Sequence, residues 1–182
     1  SHNNLGIALH RLGQVDAAVE SYQKALAVNP DYVEAHNNLG NAYKELGQLD
    51  DSVKCYKKAL TLKPDYTRAH NNLGIAFKQL GQVDAAVESY QKALAVNPDY
   101  VEAHNNLGNA YKELGQLDDA VKSYEKALAI NPDYAYAHNN LGNAFRELGQ
   151  LDDAVKSYEK ALAINPDFTG AQNNLSDAKA LK

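Results

Sequence analysis

Apolar positions recur at spacings of three and four along the chain, interrupted at regular intervals by Gly and by Asn-Pro-Asp or Lys-Pro-Asp. The stretch from Val101 to Tyr134 displays the pattern. Ala103, Leu107, Ala110, Tyr111 and Leu114 make the apolar stripe of one helix, and Leu117, Ala120, Val121, Tyr124, Ala127 and Leu128 make that of a second. Gly115 is placed to end the first helix, because Gly reaches the left-handed cap conformation at little cost. Asp118 and Asp119 open the second, where the helix dipole favours negative charge. Pro132 stops it, and Asp133 is expected to cap the next first helix. Asp31 with Glu34, and Asp99 with Glu102, have the spacing of a full capping box.

The two-helix pattern repeats. His-Asn-Asn-Leu begins at His2, His36, His70, His104 and His138, and the prolines Pro30, Pro64, Pro98, Pro132 and Pro166 keep the same step of 34 residues. Gly13 to Asp51 recurs letter for letter as Gly81 to Asp119, which implies duplication of a two-hairpin block by recent evolution or by a designer's hand. A single hairpin cannot bury both its faces, so stability must come from stacking on neighbours. The expected fold is all-α, one array over residues 1–182 of antiparallel helix-turn-helix hairpins. Its units are 1–32 (truncated), 33–66, 67–100, 101–134 and 135–168, with 169–182 as a C-terminal capping helix. Ser1 enters partway into a first helix, and the chain reads as a processed product or an excised fragment.

With Leu107, Gly108, Tyr111, Ala120, Tyr124, Ala127 and Pro132 in their places at that step, the chain resembles the tetratricopeptide repeat family over essentially its whole length. The resemblance implies a right-handed superhelical solenoid whose first helices line a concave face and whose second helices lie outside. Gly108 and Ala120 are expected to let the helices of a hairpin approach closely, and Ala127 to admit the next unit. One departure is the histidine at His2, His36, His70, His104 and His138, where the family often carries a bulky aromatic; lighter packing is expected there.

On the implied concave face, one column is Asn38, Asn72, Asn106 and Asn140, preceded in sequence by Asn37, Asn71, Asn105 and Asn139. Asn41, Asn109 and Asn143 lie one turn on, alternating with Ile7 and Ile75, and Lys44, Lys78, Lys112 and Arg146 form a basic column. Asn is a weak helix former, so two adjacent amides in every unit need a reason. An amide offers a donor and an acceptor together, matching a peptide main chain. Packed helices lie roughly 8–10 Å apart and an extended chain rises about 3.3 Å per residue, so one rung would meet every third residue of an extended ligand. The column is similar to the asparagine ladder in the repeat domain of O-linked N-acetylglucosamine transferase, which holds extended peptides. The alternative is that these amides bond within or between the helices and never touch a ligand. The basic column suggests a carboxylate-bearing partner, although Glu45, Glu113 and Glu147 follow three of its members and a solvated helix face explains it equally well. A clamp for a C-terminal carboxylate needs Lys and Arg where this chain has paired Asn, and is set aside. Selectivity is expected in the most variable inner column: Glu34, Arg68, Glu102 and Tyr136, continued by Gly170.

Composition narrows the classes further. The net charge is −5 and the apolar fraction 45%, values of a folded protein without the basic face of a nucleic-acid binder. No apolar run is long enough to span a bilayer and no signal-like stretch opens the chain, so a cytoplasmic location is expected. Cys55 is the only cysteine and has no evident catalytic base. The repeated histidines fall on different hairpins, too far apart to share a metal ion. Asn174-Leu175-Ser176 matches a glycosylation sequon inside a helix and carries little weight. No cofactor and no catalytic centre are expected. The leading function is a protein-interaction scaffold that binds an extended peptide or partner protein through Asn side chains. Its rivals are end-to-end self-association into a structural array and the recognition arm of a larger enzyme such as a glycosyltransferase.

Overall fold

A computed structural model of the chain describes residues 1–181. These residues form eleven helices and no strand: α1 (His2–Arg11), α2 (Val15–Val28), α3 (Val33–Glu45), α4 (Leu49–Leu62), α5 (Thr67–Gln79), α6 (Val83–Val96), α7 (Val101–Glu113), α8 (Leu117–Ile130), α9 (Ala135–Glu147), α10 (Leu151–Ile164) and α11 (Thr169–Ala180). The chain divides into two compact units, α1–α6 ending at Asn97 and α7–α11 beginning at Pro98. In the first unit α1 packs on α2, α3 on α4 and α5 on α6, with α2 against α3 and α4 against α5; in the second α7 packs on α8, α9 on α10, α8 on α9 and α10 on α11.

Both kinds of connection have a local cause. Each hairpin turns through a Gly with φ of +73° to +75°, at Gly13, Gly47, Gly81, Gly115 and Gly149. At Gly47 the flanking amides close the helix end, with Gln48 N–H donating to Tyr43 O at 2.8 Å and Leu46 N–H to Ala42 O at 3.1 Å. The Asn-Pro-Asp connections are turns of their own. Asp31, Asp133 and Asp167 donate their backbone N–H to Asn29, Asn131 and Asn165 Oδ1 at 3.1–3.2 Å. That turn delays the following helix, so its boundary residue is Tyr32 or Tyr100 and no side chain caps it. The expected capping box Asp31–Glu34 and the cap at Asp133 are therefore not formed, and α7 likewise starts one residue past the expected cap Asp99 of the box Asp99–Glu102, at Tyr100.

The core lies between hairpins. Ala18 and Tyr22 of α2 meet Leu39 and Ala42 of α3, and Val53 and Tyr56 of α4 meet Leu73 and Ala76 of α5. In the second unit Ala120 and Tyr124 meet Leu141 and Ala144, and Val155 and Tyr158 meet Ala178. The tyrosine ring also fills the space inside its own hairpin: a Cβ on Gly40 or Gly108 would come within 2.5–2.7 Å of Cε1 of Tyr56 or Tyr124. The close approach expected at Gly108 thus belongs to an aromatic ring from the second helix.

Candidate interaction face of the first helices

Adjacent residues on a helix point about 100° apart, and the paired asparagines divide accordingly. The first of each pair turns into the neighbouring helices: Asn37, Asn71, Asn105 and Asn139 are 4–8% exposed. The second, at Asn38, Asn72, Asn106 and Asn140, is half-buried. The two columns are linked between repeats. In the first unit Asn38 Nδ2 donates to Asn3 Oδ1 at 3.2 Å, and Asn72 Nδ2 donates to both Asn37 Oδ1 and Asn41 Oδ1 at 3.1 Å. In the second, Asn140 donates to Asn105 at 3.0 Å and Asn174 to Asn139 at 2.9 Å. Of the eight paired amides expected on an open face, four are buried, and Asn37, Asn105 and Asn139 accept the links of this ladder, which narrows the candidate set to the second column. Asn38, Asn72 and Asn140 make no other hydrogen bond among the described residues, so each keeps an unused amide oxygen.

The third amide column is oriented the opposite way. Tyr56, Tyr124 and Tyr158 donate their hydroxyls to Oδ1 of Asn41, Asn109 and Asn143 at 2.7–2.8 Å. The oxygen is spent and the half-exposed Nδ2 is left without a partner among the described residues. Burial raises the Tyr56 and Tyr124 phenols well above their ordinary pKa. Each repeat that carries both amides, as at Asn38 with Asn41 and Asn140 with Asn143, offers one acceptor and one donor a single helical turn apart.

The basic column is largely neutralised within the protein. Lys112 pairs with Glu147 at 3.3 Å and Arg146 approaches Asp177 at 4.0 Å, each across one repeat. Lys44 is held below the ordinary lysine pKa by burial, with Glu45 acting in the other direction. Lys78 also has its interactions within the protein. In the variable column Glu34, Arg68, Glu102 and Tyr136 are all exposed.

The histidines have a role that their sequence position did not suggest. Nε2 of His36, His70, His104 and His138 lies 2.7–2.8 Å from the carbonyl oxygen of Pro30, Pro64, Pro98 and Pro132, six residues earlier. A ring N–H donating to that carbonyl ties the helix start to the preceding turn. Gln172 does the same for Pro166 at 2.8 Å, and this substitution of one N–H donor for another was the available signal. No group of three or more candidate metal ligands exists among the described residues, and none of their helices is long and apolar enough to cross a membrane. Cys55 is half-buried, and burial pushes its thiol up to about 11.

Comparison with known proteins places the fold. A family profile described as TPR repeat matches residues 6–47, 40–81, 76–115 and 108–145, and one described as Tetratricopeptide repeat matches 135–168. Among solved structures, a MamA protein is similar at 32% identity and TM-score 0.80, over 91% of this chain and 90% of that one. TTC0263, a thermophilic TPR protein of Thermus thermophilus, is similar at 27% identity and TM-score 0.77, over 98% and 97%. YrrB, a TPR protein with an unusual peptide-binding site, shares the fold at 24% identity and TM-score 0.76, over 94% and 89%. No curated protein is matched significantly by the chain.

Proposed function

Because the chain belongs to the tetratricopeptide repeat family, we propose that it is a protein-interaction scaffold that grips an extended peptide along the first helices through amide rungs. The observation that carries the reading is the fixed division of labour between the two open columns. Asn38 and Asn140 have an amide oxygen to spare, and Asn41, Asn109 and Asn143 an amide nitrogen. Those are the partners that the N–H and C=O of a ligand main chain require. Recognition by main chain tolerates many side chains, so sequence preference falls to the variable column of Glu34, Arg68, Glu102 and Tyr136. The ion pairs of the basic column weaken the case for an acidic partner there. On this reading the chain works by binding and carries no catalytic centre.

Calorimetric titration with blocked, extended peptides tests it. Replacing one main-chain N–H of a binding peptide by N–CH₃ is expected to weaken it about tenfold, the value of one to two well-made hydrogen bonds. The protein pair Asn140→Ala with Asn143→Ala is expected to cost a similar factor. Affinity indifferent to both changes, in protein of unaltered fold, would remove the rungs from the account.

A further inference from the structure

The variable column contains an internal comparison between the two units. In the first, Tyr66 is surrounded by compensating charges: Lys63 Nζ lies 5.6 Å from the centre of its ring, and Glu34 and Arg68 act on its hydroxyl in opposite directions. Carboxylate, ring and two cations form a closed set. Two repeat steps on, the same places hold Glu102, Tyr134, Tyr136 and Asn131. The carboxylate and the ring are kept, and both cations are gone.

What replaces them is aromatic surface. Tyr136 takes the place of Arg68, stands edge-on to Tyr134 with ring centres 6.2 Å apart, and lies against Phe168 at 5.0 Å. Its side chain is 59% exposed. The next place in the column is Gly170, which puts no side chain over the rings. A Cβ there would stand 3.2 Å from the Phe168 ring. Glu102 is exposed and has no ion-pair partner among the described residues. Ring faces are electron-rich and the carboxylate adds a full negative charge, so the cluster has the same electrostatic demand that Lys63 and Arg68 satisfy around Tyr66.

We propose that Glu102, Tyr134, Tyr136 and Phe168 form a subsite for a cationic side chain, arginine or lysine, of the bound peptide. The occupant comes from a peptide ligand, so the inference rests on the scaffold reading and names the chemistry that one end of the ligand carries. An apolar side chain would cover the rings while stripping water from Glu102 with nothing in return, and an acidic one would be repelled. Arginine is the better fit, since a planar guanidinium stacks on a ring while its N–H fork reaches a carboxylate. The Tyr134 phenol is raised by burial first, then by Glu102 and Tyr136, in keeping with a locally negative field.

The test uses blocked Ala/Ser peptides with a single central Arg, Lys, citrulline or Leu, titrated while the Tyr136 ring resonances are followed by NMR. Arg and Lys peptides are expected to bind about tenfold tighter than the citrulline and Leu peptides and to shift those resonances. Glu102→Gln should remove most of that advantage. Tyr136→Arg, which rebuilds the arrangement around Tyr66, should abolish it; both sites are exposed, so the fold is expected to persist. An Arg peptide that binds no better than its citrulline counterpart, or an advantage that survives both variants, overturns the subsite. So does an absence of any shift at Tyr136. Failure of the amide rungs reads out differently, as indifference of every peptide to main-chain methylation with the Arg-to-citrulline difference intact.

Discussion

A methyl group at Gly108 would lie 2.5 Å from Cε1 of Tyr124, a fully buried ring, whereas a methyl group at Gly115 would meet nothing within 4 Å. The two positions should therefore fail for different reasons. Gly108→Ala is expected to cost about 2 kcal/mol by overpacking, measured by urea unfolding. Gly115→Ala costs about 1 kcal/mol through its φ of +73° alone, and Gly115→Asn, which tolerates that region better, costs less. Cys55 gives a pH signature. Its thiol is raised to about 11, first by burial and then by Asp51, against roughly 8.5 in an unfolded chain. Between those values the unfolded chain binds fewer protons, so the contribution to stability is intact below about pH 8.5 and is lost as pH rises towards 11. Cys55→Ser should flatten that part of the stability profile. The native thiol should also react with iodoacetamide far more slowly at about pH 8 than the urea-unfolded one.

The step from one hairpin to the next depends on how each first helix begins. From α3 to α9 the boundary residue is a tyrosine with no side-chain cap, and the stabilising contact is the ring N–H to proline carbonyl bond; α11 begins at Phe168 and uses Gln172 instead. His138→Leu should then cost about 1 kcal/mol, while His138→Gln should cost roughly 0.5 kcal/mol or less, because Gln172 already spans the same gap to Pro166. Denaturant midpoints of the two variants check this, and equal losses would show that only the bulk of the ring matters. The helix pairs, their glycine turns and their apolar stripes were legible in the sequence because periodicity reports them directly. The fate of the box at Asp31 and the cap at Asp133 was not, since Asn29 and Asn131 claim their backbone N–H groups for a turn that no pairwise spacing reveals.

Stacking along a line means that each element is held only by its neighbours, so protection is expected to vary along each unit. In the second unit α11 buries only Ala171 and Ala178, whereas α9 buries seven residues. Hydrogen exchange should accordingly be fastest in α11 and slowest in α9 and α10; uniform protection would argue for a single cooperative block instead. The repeat step announced the paired columns of amides, but two identical letters side by side could not say which one the neighbouring helix would claim. That choice is made by packing, and it left Asn38 and Asn140 with an oxygen to offer while Asn37 and Asn139 were absorbed. Within each unit these links have a sense: the nitrogen comes from the later repeat and the oxygen from the earlier. Bonds that all run one way within a unit are not the same read backwards. Under the proposed scaffold reading, a guest strand and its retro-sequence, alike in composition and charge, would therefore be different objects to either unit.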